Sequence, residues 1–358
     1  MVSPASDNLF TTMVIGSLPR PRWVQDIIQD RQQKRINIEE ADRLLDSAVL
    51  SAIRLQERAG LDYISDGEWR RENYVRVFAD KVGGFTRRRV QRGRLTLLAY
   101  VSDKIESRGT IVCDEAVFLR QNTERKIVVA LPSPCTIGDL MWHPDHSESA
   151  YPTRKSFVKA CVPIIHNEVK SLYELGVDAV QLDEPLLPRL ANPQVYGFEG
   201  VSALEEAVEL SVETINEVAD GLDGFLSIHL CHGYGGNNVI TDGTSGLIMN
   251  AASRYQVDRL AMEFNSPSAK RLQSLKEFPE NKLLGLGVMQ PNVDEVDIAD
   301  TVIERVRVAM QFVDKKRLIL NPDCGFATTA TNAGDLDRAY LKLLSMCLGA
   351  QKLRNEYL

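Results

Sequence analysis

In the stretch FLSIHLCHGYGGN, residues 225 to 237, His229 and Cys231 place an imidazole and a thiol two positions apart at the end of an apolar run. Side chains on a strand alternate faces, so positions i and i+2 point the same way and the pair converges on one spot. Two soft donors on one face suit a metal ion. They equally suit a core histidine packed beside a free cysteine, and a bare HxC does not choose between the two. Other polar residues sit in comparable places. Ser17, Asp66, Glu68, Asp183, Glu184, Glu263, Asp323 and Cys324 all close short apolar stretches. Singly, each has an ordinary structural use as a turn residue, a helix cap or a packed thiol.

The stretches that carry these residues recur eight times: TTMVIGS (11–17), LDYISDGE (61–68), KIVVALPSP (126–134), VDAVQLDEP (177–185), FLSIHLCHG (225–233), RLAMEFN (259–265), KLLGLGVM (282–289) and RLILNPDCG (317–325). Short runs rich in β-branched residues read as buried strands. Amphipathic helical patterns lie between most of them, at 38–60, 154–176, 202–221 and 295–313, and several end in glycine, a common helix stop. Eight alternating units predict an α/β fold of the (β/α)8 TIM-barrel type, and no GxGxxG follows the first run to favour an open doubly wound sheet. Residues 75–125 interrupt the series after the second strand. The segments RLTLLAYVS (94–102) and RGTIVCDEAVF (108–118) there predict a β-rich insertion, a meander or hairpin, over the barrel mouth. The stretch WHPDHSESAYPTR (142–154) reads as a loop rather than a linker, so residues 1–358 are expected to form a single catalytic domain.

Composition narrows the function classes. The 44% hydrophobic and 25% charged content is that of a soluble globular chain, and no run of about 18 apolar residues offers a membrane span. The start of the chain has no basic segment leading into an apolar one, which makes the cytoplasm the expected location. Six scattered cysteines then read as thiols or ligands rather than disulfides. The net charge is −7, and the basic cluster TRRRVQRGR (86–94) is local and lacks interleaved aromatics, which argues against nucleic acid. It reads as a solvated hairpin face able to attract an anionic ligand or acidic partner.

In such barrels chemistry collects at the C-terminal strand ends. His229 and Cys231 come from strand five, Glu263 from strand six and Cys324 from strand eight, near neighbours around a closed barrel. One histidine, two thiols and a carboxylate suit zinc. The other histidines fit less well: His143 and His146 fall in a loop, His166 mid-helix, and His232 on the opposite side from Cys231.

The motifs VIGSLPRP, DGEWRREN, VQLDEP, IHLC, MEFN and NPDCG occur in that order along nearly the whole chain. In this the sequence resembles the C-terminal catalytic barrel of cobalamin-independent methionine synthase. The resemblance implies zinc ligation by His229, Cys231, Glu263 and Cys324. It implies homocysteine held by Ser17 and the backbone of Ile15 and Gly16 at its carboxylate, and by Glu68 and Asp183, the catalytic carboxylates, at its ammonium. Trp142, in the loop after strand three, would correspond to a tryptophan that stacks on a pterin cofactor. A metal-coordinated thiol loses its proton at neutral pH and becomes the nucleophile that takes a methyl group.

Two departures accompany the likeness. The chain has room for one barrel where full-length relatives carry two, so a core-only form is expected. The stretch LGVMQPNVDEVD (286–297) lacks the Asp-x-His whose histidine resembles a leaving-group proton donor. The expected partners are a homocysteine-like thiol and a methyl donor, which is a methylated folate, a corrinoid or other methyl-carrier protein, or another methyl compound. Competing readings are alkyl transfer to another thiol, as in epoxyalkane:coenzyme M transferases, a non-catalytic ligand-binding barrel, and a metal-free decarboxylase similar to uroporphyrinogen decarboxylase. Glu68 and Asp183 argue against a sulfonate thiol, and an acidic mouth argues against a polycarboxylate substrate.

Overall fold

The computed structural model describes residues 8–93, 95–185, 201–231, 245–264, 274–291, 293–327 and 335–357. His232 lies outside these. The strands are β1 (Thr11–Thr12), β2 (Tyr63–Ile64), β3 (Val82–Thr86), β4 (Val90–Arg92), β5 (Leu95–Leu97), β6 (Tyr100–Ser107), β7 (Lys126–Pro132), β8 (Ala179–Asp183), β9 (Leu226–Leu230), β10 (Arg259–Met262), β11 (Leu283–Gly287) and β12 (Leu318–Asn321). Eight of them lie parallel in the order β1-β12-β11-β10-β9-β8-β7-β2. A further parallel bridge, Met13 to Tyr63, joins the two ends and closes the barrel. Every predicted strand contains one of these eight. They were readable because strands covered by helices outside and filled inside are apolar on both faces, as in β7, where all residues after Lys126 are buried.

The helices start and stop where local chemistry says they should. Asn37 accepts from the Glu40 N–H to open Ile38–Ala59, and Gly60, at φ 91°, closes it in the left-handed region. Thr153 and Ser156 form a reciprocal capping box at the head of Arg154–Glu174. Within the barrel, the buried Arg259 guanidinium donates to Asn321 Oδ1 at 2.6 Å.

The seam between β1 and β2 is clasped by side chains. Asp62 Oδ2 accepts from the Thr12 N–H at 2.7 Å and the Thr12 hydroxyl at 2.9 Å. Arg354, on the closing helix Leu336–Tyr357, donates to the same oxygen at 2.5 Å and to the carbonyls of Leu9 and Phe10.

The insertion departs partly from expectation. It holds two antiparallel ladders, β3 with β6 and β4 with β5, together with a short helix at Arg76–Lys81. The segment 108–118, expected as strand, instead enters the helix Cys113–Gln121, which buries Cys113, Glu115, Ala116 and Leu119. That three-to-four spacing is helical, and alternation across 108–118 misled. The cause of the turn into helix is distant in sequence: Glu168 accepts from the N–H groups of Ile111 at 2.8 Å and Val112 at 2.7 Å, serving donors that a helix start leaves unpaired. Glu168→Ala orphans both buried donors. It is expected to cost about 2 to 4 kcal/mol in urea denaturation, with a loss under about 1 kcal/mol counting against this account.

Candidate active site

Parallel register sets the first contact. Asp183 on β8 pairs with His229 on β9, and their side chains meet at 3.1 Å between Oδ1 and Nδ1. The same Asp183 oxygen accepts from Gln181 Nε2 at 2.9 Å, and that amide also donates to the Ile15 carbonyl at 2.6 Å. Asp183 therefore orients the imidazole by its Nδ1 side, the arrangement in which Nε2 serves as a metal ligand. Cys231 follows β9 directly, and Cys324 arrives from beyond β12, their sulfurs 3.7 Å apart. One donor atom each from His229, Cys231 and Cys324 all fall within 4.8 Å of one another. Three of the four ligands expected from sequence thus converge. Glu263, just past β10, is not in that group, and its charge helps push the buried Asp323 carboxyl well above the usual range, chiefly a burial effect.

The members of the trio shift one another's protonation. The hydrogen bond with Cys231 pulls the Cys324 thiol down to about 6 against burial, helped by His229. Burial opposes a charge on His229, but Asp183 and Cys324 outweigh it and push the imidazole up to about 10. These shifts favour a thiolate beside the imidazole, and a divalent ion would be held by the thiolates and the neutral imidazole, its charge taking the place of the imidazole proton.

A second group faces the first across the mouth. Glu68 is buried and sits at φ 58°, a conformation uncommon for a residue with a side chain. Its N–H donates to Asp66 Oδ1 at 2.8 Å, and its carbonyl accepts from the buried Arg20 at 2.6 Å, which together hold the turn. Burial, opposed by Arg71 and reinforced by Asp183, raises its carboxyl to about 7. Gly16 makes room for it, since a Cβ there would stand 2.5 Å from Glu68 Oε1. The Gly16 carbonyl accepts from Ser65 Oγ at 2.7 Å, tying the loop after β1 to that after β2. Ser17 is buried, and its Oγ accepts from the Ala327 N–H at 3.2 Å while its carbonyl accepts from the Phe326 N–H, which binds it to the segment carrying Cys324.

Other candidates land elsewhere. Glu184 accepts from Ser133 Oγ at 2.7 Å and Ser211 Oγ at 3.4 Å, so its carboxyl joins the helix layer rather than the His229 cluster. Trp142 is half-buried, with Nε1 donating to the Tyr151 carbonyl at 3.0 Å and its own carbonyl accepting from Arg92 of β4. His143 bonds the Gln91 carbonyl and His166 the Val218 carbonyl, both away from the thiols. Sequence reading overlooked Gln181, Arg20, Arg71 and Glu115. Gln181 had a signal, standing two before Asp183 and hence on the same strand face. Arg20 and Arg71 lie within the motifs VIGSLPRP and DGEWRREN with no role read for them, because the contacts that fix them, to Ala327 and Glu115, are 307 and 44 residues away; Glu115 had no signal.

The family model for the cobalamin-independent synthase catalytic domain matches residues 9–340. The chain belongs to this family. Among similar proteins, the methionine synthase of Pyrococcus abyssi is 29% identical over 354 residues, covering 97% of this chain and 94% of that one. The methionine synthase of Saccharolobus solfataricus is 27% identical over 354 residues, covering 97% and 96%. A B12-independent methionine synthase from Shewanella sp. W3-18-1, solved in complex with selenomethionine, superposes with a TM-score of 0.81 at 24% identity, over 97% of this chain and 98% of that one. A methyltransferase from Methanosarcina mazei shares the fold at a TM-score of 0.59 and 12% identity, over 98% and 94%.

In this member of the family the two groups are mechanically joined, since Ile15, Gly16 and Ser17 touch Gln181, Ser65 and the post-β12 segment in turn. Gly16→Ala is expected to displace the Glu68 carboxylate and lower stability by about 1 to 3 kcal/mol while the His229, Cys231 and Cys324 cluster keeps its geometry. A crystal structure and a melting curve of the variant check this, and an unmoved Glu68 would refute it.

Proposed function

We propose that this chain is a zinc-dependent methyltransferase that converts homocysteine to methionine. The observation that carries the reading is the convergence of His229, Cys231 and Cys324 within 4.8 Å at the mouth of a barrel of the methionine synthase family. The donor set fits zinc: two thiols and an imidazole oriented by a carboxylate, with Glu263, from the end of the neighbouring strand β10, as the expected fourth ligand. Zinc held there supplies the Lewis acidity that leaves a substrate thiol deprotonated at neutral pH.

The chain's own residues do the rest. Asp183 fixes the imidazole, and Gln181 holds Asp183. Glu68, with Asp183 nearby, offers negative charge to an amino-acid ammonium, and its Oε2 is buried with no hydrogen-bond partner among the described residues. Ser17 and the backbone of Ile15 and Gly16 stand at the substrate carboxylate. Held at both ends of its amino-acid group, the substrate presents its sulfur toward the thiol cluster, and proximity removes much of the entropic barrier to methyl transfer. The sulfur lone pair forms a bond to the methyl carbon as the bond from that carbon to its carrier breaks, the electron pair leaving with the carrier. A methylated folate, a methylcobalamin-bearing protein or another methyl compound serves as carrier, and no histidine of the 286–297 stretch is present to protonate it. Trp142 stands as the residue for stacking on a pterin. A reducing, cytoplasmic setting suits six free thiols.

The test is metal content with X-ray absorption during homocysteine titration. About one zinc per chain that gains a sulfur neighbour supports the reading, and zinc indifferent to homocysteine overturns it. Cys324→Ser should reduce zinc occupancy at least about tenfold, whereas Cys347→Ser, on the closing helix, should leave it unchanged.

A further inference from the structure

The insertion reaches the mouth through one buried chain of charges. Glu115, on its helix Cys113–Gln121, accepts at Oε2 from Arg71 Nε and Nη2, both at 2.8 Å. Arg71 Nη1 donates to the Ala130 carbonyl on β7 at 2.9 Å, and the same nitrogen stands 3.7 Å from Glu68 Oε1. Arg71, Glu68 and Glu115 are all buried. A charge-assisted hydrogen bond between guanidinium and carboxylate closes to about 2.8 Å, so Arg71 is bonded to Glu115 but only near Glu68. Distance costs the field little and the hydrogen bond everything: Coulomb attraction falls as the inverse of separation, while hydrogen bonding ends within a few tenths of an ångström.

We propose that Glu115 of the insertion holds Arg71 one step back from Glu68, so that the guanidinium charge acts on Glu68 while its oxygens are left to the substrate ammonium. Arg71 and Glu115 are positioning residues for amino-acid recognition, an inference that rests on Glu68 being the ammonium partner. The charged groups facing Glu68 are Arg71, Asp183, Arg20 and Asp66. Two of these are acids that oppose its ionisation. Arg20 spends its Nη groups on the carbonyls of Glu68 and Ala327, and Arg71 is the cation with the larger influence. Freed from Glu115, Arg71 would close on Glu68 and compete with the ligand. Removed altogether, it would leave a buried carboxyl among acids, which takes up a proton at neutral pH and no longer attracts an ammonium.

The two losses have different signatures. Binding of homocysteine and of γ-mercaptobutyrate, the same thiol without the ammonium, is measured by calorimetry on zinc-loaded protein from about pH 6 to about pH 9. Arg71→Met should shift the acid limb of homocysteine binding upward by about one pH unit or more, because the deprotonated carboxylate is the binding form, and Arg71→Lys should restore most of it. Glu115→Gln should weaken homocysteine about tenfold without that shift. Neither should change γ-mercaptobutyrate binding or zinc content. Equal losses for both thiols would make the relay merely structural and overturn the proposal. If Glu68→Gln abolishes discrimination between the thiols while Arg71→Lys, Arg71→Met and Glu115→Gln keep it, the relay alone fails. If wild type and Glu68→Gln bind both thiols alike, the ammonium reading fails and the relay with it. Should Arg71→Met not fold, Arg71→Lys carries the pH comparison, with a partial upward shift expected and no shift contradicting it.

Discussion

Burying several acids in one barrel mouth is the constraint on which the rest of this structure depends. Asp66, Glu68, Asp183, Asp323 and the Cys324 thiol are gathered there, and like charges in a medium of low polarity repel strongly. The four carboxylates draw on partners from several segments. Asp183 is shared between an imidazole and an amide. Asp66 accepts a backbone N–H, Glu68 looks toward a guanidinium, and Asp323 accepts the Phe264 N–H at 2.9 Å while burial favours its neutral form. The loops after β1, β2, β8 and β12 are cross-tied because these groups need partners from several strand ends at once.

This distribution also explains why the mouth divides in two. The thiol side concentrates soft donors, two sulfurs and an imidazole, whereas the Glu68 side concentrates hard oxygen and guanidinium. A ligand with a sulfur at one end and an amino-acid group at the other matches that division, and the Ile15–Ser17 segment after β1 bonds to Gln181, Ser65 and Ala327. Rigidity comes from backbone carbonyls being used as acceptors, at Ile15, Gly16, Glu68 and Ala130, rather than from apolar packing alone.

Legibility from sequence followed the range of the interactions. The eight strands and the long helices are written in local periodicity, and His229 with Cys231 in a two-residue spacing, so they were readable directly. Cys324 needed one more step, the adjacency that a closed barrel imposes on its late and middle strands. The helix at Cys113–Gln121 was misread because its start is set by Glu168, and although Arg71 stands three residues after Glu68, the Glu115 and Ala130 contacts that fix it meet only in three dimensions. Trp142 was named through the resemblance alone, and the Tyr151 carbonyl that occupies its indole nitrogen belongs to a fold detail no motif records.

The clasp at Asp62 carries a further consequence, for the order of events during synthesis. Arg354 emerges from the ribosome after every strand of the barrel has been made, yet it bonds the same carboxylate oxygen that holds β1. Until the closing helix arrives, the seam between β1 and β2 lacks that bond, and the nascent barrel exposes a parallel edge at the two strands made first. The final tie of the seam, beside which Ile15, Gly16 and Glu68 stand, is thus supplied by the last helix of the chain.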